Sequence, residues 1–79
     1  MSISAAQCRA ARALLGRSQE ALAIEAGVAK ATFANFEAGR RMPYARTLAD
    51  IRSTLEEAGV EFIAENGGGA GVRLKRREG

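Results

Sequence analysis

The side chains of this chain that could do chemistry are mostly cations. Lysine and arginine number 12 against 9 aspartates and glutamates, which gives a formal charge of +3, and there is one cysteine and no histidine. Without a metal-binding cluster or a nucleophile beside an evident base, we expect no enzyme activity, metal or cofactor. Cations bind anionic groups, but a net charge of this size does not prove that the partner is a nucleic acid. The positions of the cations along the chain are more informative than the net charge.

The segment 18–39 predicts two short helices joined by a sharp turn. Its apolar residues recur at helical spacing and turn toward one interior. They are Leu22, Ala26, Phe33 and Phe36. Gly27 can adopt the left-handed conformation that ends a helix, so the chain turns before Val28 returns to the core. Ala23 is small where two crossing helices approach. This pattern is a helix-turn-helix, whose second helix can enter a groove of DNA.

Capping signals predict the first helix. Ser4 can cap it, Gln7 completes a capping box, and the alanine-rich run over about 5–15 stops at Gly16. Cys8 lies on the inward stripe of this helix, so we expect a buried, inert residue rather than a reactive thiol.

Three more helices are expected along the chain. The second begins after Ser18 and runs to about 26, the third spans about 29–38 and ends at Gly39, and the fourth runs from about 45 to Gly59. A loop broken by Pro43 separates the last two.

Beyond Gly59 the period changes from helical to alternating, which predicts a β-hairpin. Val60, Phe62 and Ala64 fall on one side of the first strand, and Glu61, Ile63 and Glu65 on the other. The segment 66–71 is a glycine-rich turn, and 72–76 alternates again. The predicted class is mainly α: four helices within 1–59, followed by a hairpin at 60–79, in one small domain.

An isolated hairpin is marginal in water, so its apolar face needs a cover. A second copy of the chain would supply one, and we prefer hairpin pairing across a two-fold axis as the dimer contact. The residues expected there are Val60, Phe62, Ile63, Val72 and Leu74. The alternative is that the hairpin packs on helix four, and both arrangements can hold together.

Three segments carry a family resemblance: LLGRSQEALA at 14–23, AGVAKATFANFEAGRRMP at 26–43 and LADIRSTLEEAGV at 48–60. They resemble the lambda-repressor-like family, the phage-repressor and Cro, or xenobiotic-response-element, type of helix-turn-helix regulators. The resemblance covers about 5–59, and the tail GVEFIAENGGGAGVRL is similar to the ending of small bacterial members.

The resemblance implies a DNA-binding site. The base-contacting residues would be Lys30, Ala31, Thr32 and Asn35, at the outward positions of the recognition helix. Phosphates would be met by Gln19, Arg40, Arg41, Tyr44 and Arg46, with Arg9 and Arg17 extending the contact. Arg12 and Glu37 would form an ion pair that fixes the angle between helices one and three. Ala29 departs from the family pattern, because a serine or threonine often caps the recognition helix there.

Two functions follow as hypotheses. The first is a homodimeric, sequence-specific transcriptional regulator, acting as a repressor on inverted half-sites roughly 34 to 36 Å apart in double-stranded DNA. The second is an antitoxin-like module that binds a protein partner and whose DNA binding is autoregulatory. One cysteine and no run of roughly 20 apolar residues favour a cytoplasmic protein with no disulfide and no membrane partner.

Overall fold

Four helices and one antiparallel sheet make up the fold in the computed structural model, which describes residues 2–75. The elements are α1 (Ala5–Leu15), α2 (Gln19–Ala26), α3 (Lys30–Glu37), α4 (Ala45–Ala58), β1 (Val60–Ile63) and β2 (Gly71–Leu74). The predicted mainly helical fold with a C-terminal hairpin is confirmed. The segment 76–79, including Arg76 of the predicted second strand, lies outside the described residues.

Side-chain caps begin the first two helices. The Ser4 hydroxyl accepts the Gln7 N–H at 3.0 Å and the Gln7 side chain accepts the Ser4 N–H at 2.9 Å, so the predicted capping box is present. At α2 the Ser18 hydroxyl accepts the Ala21 N–H at 3.0 Å. At α3 the capping position is Ala29, which makes no side-chain cap.

Left-handed glycines close α2 and α3. Gly27 has φ 72° and Gly39 has φ 73°. After each glycine, the next N–H bonds back to a carbonyl five residues earlier: Val28 to Ala23 at 3.0 Å, and Arg40 to Asn35 at 2.9 Å. This is the Schellman arrangement, which satisfies carbonyls at the helix end and reverses the chain.

The core lies among all four helices and the first strand. Its buried apolar members are Ile3, Cys8, Ala11, Leu22, Ala23, Phe33, Phe36, Leu48, Ile51, Leu55 and Val60. Three of the four residues predicted to share the helix-turn-helix interior are buried, while Ala26 is half-buried. Cys8 has no exposed surface, as predicted.

The hairpin packs on helices of its own chain. In the register, Val60 is opposite Leu74 and Phe62 is opposite Val72, so these four share a face. Phe62 and Val72 pack against the helical core, and Val60 is 0% exposed. The Val60 side chain is therefore buried within its own chain, and the dimer contact through the hairpin stays a prediction.

A polar contact also joins the hairpin to α1. The Gln7 side-chain amide donates to the Gly71 carbonyl at 2.9 Å and to the Ile63 carbonyl at 3.4 Å. β1 also contacts α4, so the arrangement that the sequence left as an alternative is present, with α1 as a second support. In residues 2–75 no helix has the length and apolar character needed to cross a membrane.

Candidate nucleic-acid interface

The two faces of α3 differ in chemistry. Phe33 and Phe36 hold one face in the core, at 0% and 2% exposure. The four residues predicted to contact bases lie elsewhere on the helix: Lys30 and Ala31 are exposed, and Thr32 and Asn35 are half-buried. The apolar spacing that fixes the phenylalanines inward therefore leaves ammonium, hydroxyl and amide groups accessible.

A groove of about 570 Å³ runs beside α3. It is lined by 27–29, Ala31, Thr32 and Asn35, and by 41–44 and Thr47. We call this the α3 groove. Three of the four predicted base-contacting residues thus line one groove, together with part of the following loop.

Lys30 borders a different depression. This second depression, of about 430 Å³, is lined by Lys30, Arg12, Ser18, Gln19 and Glu20. It lies at the beginning of α2, where the helix dipole is positive and the first amides have no intrahelical partner. The Lys30 ammonium beside such a helix end suits an anionic group, whereas the Arg12 guanidinium is bonded to Glu37. The structure thus places Lys30 with the predicted phosphate contacts of α2 rather than in the α3 groove.

The cations that follow α3 are exposed. Arg40, Arg41 and Arg46 all present their side chains to solvent. Tyr44 is 88% exposed and lines the α3 groove together with Arg41. Met42, 66% exposed, lines it as well. Sequence reasoning missed Met42, because a lone methionine in a loop carries no periodicity.

Three predicted phosphate contacts are engaged within the chain. An Arg9 guanidinium N–H donates to the Glu37 carbonyl, and the Gln19 amide donates to Glu37 Oε1 at 2.7 Å. Arg17 forms an ion pair with Glu25. These polar groups position helices in the free protein, and local patterns in the sequence contain no sign of such long-range contacts.

Glu37 is the centre of a buried polar cluster, here called the Glu37 cluster, that contains Arg12, Gln19 and Cys8. Its side chain is 3% exposed, and Arg12 Nε donates to its Oε2 at 2.9 Å. Arg12 Nη2 donates to Oε1 at 3.1 Å, and the Cys8 thiol donates to Oε2 at 3.5 Å. The cluster joins α1, α2 and α3, so it fixes their mutual angles.

Opposing effects act on the ionisation of this cluster. Burial raises the pKa of Glu37, but hydrogen bonds from Arg12 and Gln19 and the charge of Arg12 outweigh it, so the pKa lies below its ordinary value. Burial, reinforced by Glu37, raises the pKa of Cys8 to about 12. Glu37 therefore stays ionised and Cys8 stays a thiol at neutral pH. The i+4 spacing of Glu37 from Phe33 was a signal of its burial.

Comparisons with protein-family models and with curated proteins find no match for this chain. In the described part, 2–75, no three histidine, cysteine, aspartate or glutamate residues are grouped so as to hold a metal ion.

The diameter of α3 and the side chains on its accessible side suit a groove of nucleic acid. A helix about 10 to 12 Å in diameter fits a major groove about 12 Å wide. Asn35 carries an amide that can donate and accept at once, and Thr32 and Ala31 carry methyl groups. Amides bridge adenine edges and methyl groups contact the thymine methyl, while the flanking guanidinium groups bind phosphates.

Proposed function

We propose that this chain is a sequence-specific DNA-binding transcriptional regulator of the helix-turn-helix type. It acts as a homodimeric repressor on an inverted repeat, with half-sites roughly 34 to 36 Å apart. The lambda-repressor-like resemblance of its sequence supports the family part of this proposal. The observation that carries it is the α3 groove, which is lined by Ala31, Thr32 and Asn35 of α3 and by Arg41 and Tyr44 of the following loop.

Base specificity is assigned to Ala31, Thr32 and Asn35, with Lys30 adding a donor at the start of the same helix. Each good bidentate contact to a base pair discriminates by roughly 1 to 3 kcal/mol. Asn35 is the one of the three in the groove that can make such a contact, so it should dominate the sequence preference.

Affinity that is independent of sequence is assigned to exposed cations. Arg40, Arg41 and Arg46 follow α3 and remain accessible. The amides at the beginning of α2 add a helix-dipole contact. Because Arg9, Gln19 and Arg17 already bond within the chain, their part in phosphate binding is secondary: they orient the elements that do bind.

Selection of bound sequences from random duplex DNA tests the proposal. The parent chain should select a palindromic consensus, and Asn35→Ala should relax the preference at one position of each half-site. Arg41→Ala should weaken all sequences alike and flatten the salt dependence by about 0.9 in log–log slope for each lost phosphate contact, one per half-site.

Lys75→Ala is the matched control, because it removes an equal charge far from α3 in sequence and outside the α3 groove. Binding to a duplex with one half-site should keep its salt slope in this variant. Selection of no consensus by the parent chain would refute the proposal, and DNA binding that appears only after a second protein is added would favour the antitoxin-like alternative.

A further inference from the structure

The two asparagines of this chain lie in different environments. Asn35 is inside α3, and the residue that follows it, Phe36, has a large side chain that is 2% exposed. Asn66 lies in the turn of the hairpin, where residues 64–70 are all exposed, and it is followed by Gly67. The reactivity of one asparagine can therefore be compared with that of the other in the same molecule.

The groups around Asn66 are held by no hydrogen bond. Within residues 2–75, neither the Asn66 side chain nor the Gly67 N–H has a partner. The pairing of the two strands ends before the turn, at Ile63 and Gly71. Gly67 has φ 100°, and no atom lies within 4 Å of a carbon added to it. Since glycine has no side chain to restrict rotation, the Gly67 nitrogen can reach the side-chain carbonyl carbon of Asn66.

We propose that Asn66 is a site of spontaneous modification, at which the chain converts its own asparagine to isoaspartate and aspartate. The Gly67 nitrogen attacks Asn66 Cγ, so a bond forms between these atoms and the bond from Cγ to Nδ2 breaks. The Nδ2 group leaves as ammonia together with the proton of the Gly67 N–H, and a five-membered succinimide ring remains.

Water then opens the succinimide in one of two directions. Addition at Cγ breaks the new bond to nitrogen and gives aspartate in a normal backbone. Addition at the backbone carbonyl carbon of Asn66 breaks the original peptide bond and gives isoaspartate, whose backbone runs through Cγ. Water is the co-reactant in both directions, so the sequence of steps requires no oxidant or reductant.

The same reaction is hindered at Asn35. Attack there would use the Phe36 nitrogen, which lies in the hydrogen-bond ladder of α3 and carries a buried aromatic residue. The Asn35 carbonyl also accepts the Arg40 N–H at 2.9 Å, which holds the end of the helix. Because the helix must open before this nitrogen is free, Asn35 should react at least about tenfold more slowly than Asn66.

The products change the charge of the hairpin turn and leave the fold intact. Each conversion replaces a neutral amide by a carboxylate, which lowers the formal charge of +3 by one. The additional backbone atom of isoaspartate falls in the turn, outside the paired residues of the two strands, so the register is kept. None of residues 64–70 lines the α3 groove, so the proposal is independent of DNA binding.

Peptide mapping by mass spectrometry tests the proposal on the full chain, incubated at mildly alkaline pH. Cleavage after lysine and arginine places Asn35 in the peptide 31–40 and Asn66 in the peptide 53–73. The peptide 53–73 should accumulate isoaspartate and aspartate forms at least about tenfold faster than 31–40 is modified. Its rate should stay about the same when the chain is unfolded in urea, whereas the rate of 31–40 should rise. A sample digested without incubation gives the background.

Three variants separate the chemistry of Gly67 from a general effect on the turn. Gly67→Ala places a methyl group beside the attacking nitrogen and disfavours φ 100°, so modification of Asn66 should slow about tenfold. Gly68→Ala is the matched control, because it adds the same methyl group one residue later, with no atom within 4 Å, and should leave the rate unchanged. Asn66→Asp, which represents one product, should keep the far-UV circular dichroism and urea midpoint of the parent.

Equal rates at Asn66 and Asn35 in the folded chain overturn the proposal, and so do equal rates in Gly67→Ala and Gly68→Ala. Aspartate without isoaspartate at position 66 overturns it as well, because direct hydrolysis of the side-chain amide gives aspartate alone. A lower urea midpoint in Asn66→Asp would contradict the statement that the fold is kept. These outcomes are measured without DNA, so their failure is distinct from failure of the proposed function.

Discussion

Replacing Arg12 by alanine should destabilise the fold chiefly through the carboxylate that it leaves behind. Arg12 makes three hydrogen bonds to Glu37, at 2.9, 3.1 and 3.2 Å, and the Glu37 side chain is 3% exposed. Breaking a fully buried pair costs about 3 to 5 kcal/mol. Since the Arg12 side chain is 29% exposed and Gln19 still donates to the carboxylate, we expect about 2 to 3 kcal/mol here.

The pKa of Glu37 determines how the loss of stability in Arg12→Ala changes with pH. The pKa of Glu37 is lowered in the folded parent, so Glu37 contributes stability above its unfolded pKa of about 4.3, and this is lost as pH falls through the folded pKa. In Arg12→Ala the hydrogen bonds and charge of Arg12 no longer oppose the effect of burial, so the pKa of Glu37 rises. The variant therefore binds a proton at higher pH, and its deficit relative to the parent should shrink below about pH 4.

Urea unfolding followed by far-UV circular dichroism, at neutral pH and at about pH 3, measures both effects. The double variant Arg12→Met with Glu37→Leu is the control, because it removes both charges and should lie close to the parent. A loss below about 0.5 kcal/mol in Arg12→Ala, which is typical of a surface substitution, would refute the reasoning. An equal loss at both pH values would refute it as well.

Three further outcomes are expected. Ala29→Ser supplies the missing cap of α3 and should raise the free energy of unfolding by about 1 kcal/mol, and an unchanged urea midpoint would contradict it. Gly27→Ala forces a side chain into φ 72° and should cost about 1 to 2 kcal/mol. Gly68→Ala, with no atom within 4 Å of the added carbon, should change stability by less than about 0.5 kcal/mol, and equal losses in the two glycine variants would argue against the φ explanation. Cys8 should resist alkylation in the native protein, because burial and Glu37 raise its pKa to about 12, and rapid labelling without denaturant would disprove this.

The helix ends could be predicted because their signals are local. The Ser4 and Gln7 capping box and the stop at Gly16 place α1 at Ala5–Leu15, as expected. The third helix was expected over about 29–38 and is Lys30–Glu37, because Ala29 and Ala38 are its caps rather than helical residues.

The long-range contacts could not be predicted from local patterns. Alternation in the hairpin identifies an apolar face but not its cover, and the bonds from Gln7 that hold the hairpin on α1 span 56 and 64 residues. In the same way, nothing near Gln19 or Arg9 in sequence indicates that each donates to Glu37. The positions of α3 that face outward could be inferred, whereas the separation of Lys30 from the α3 groove depends on how α2 meets α3.

Because Tyr44 is exposed, its intrinsic fluorescence can report on binding to the protein. The chain has one tyrosine and no tryptophan, so its intrinsic fluorescence arises from a single ring, on the rim of the α3 groove. A molecule that stacks on or covers this ring would quench its emission, and association could be followed by titration without attaching a dye.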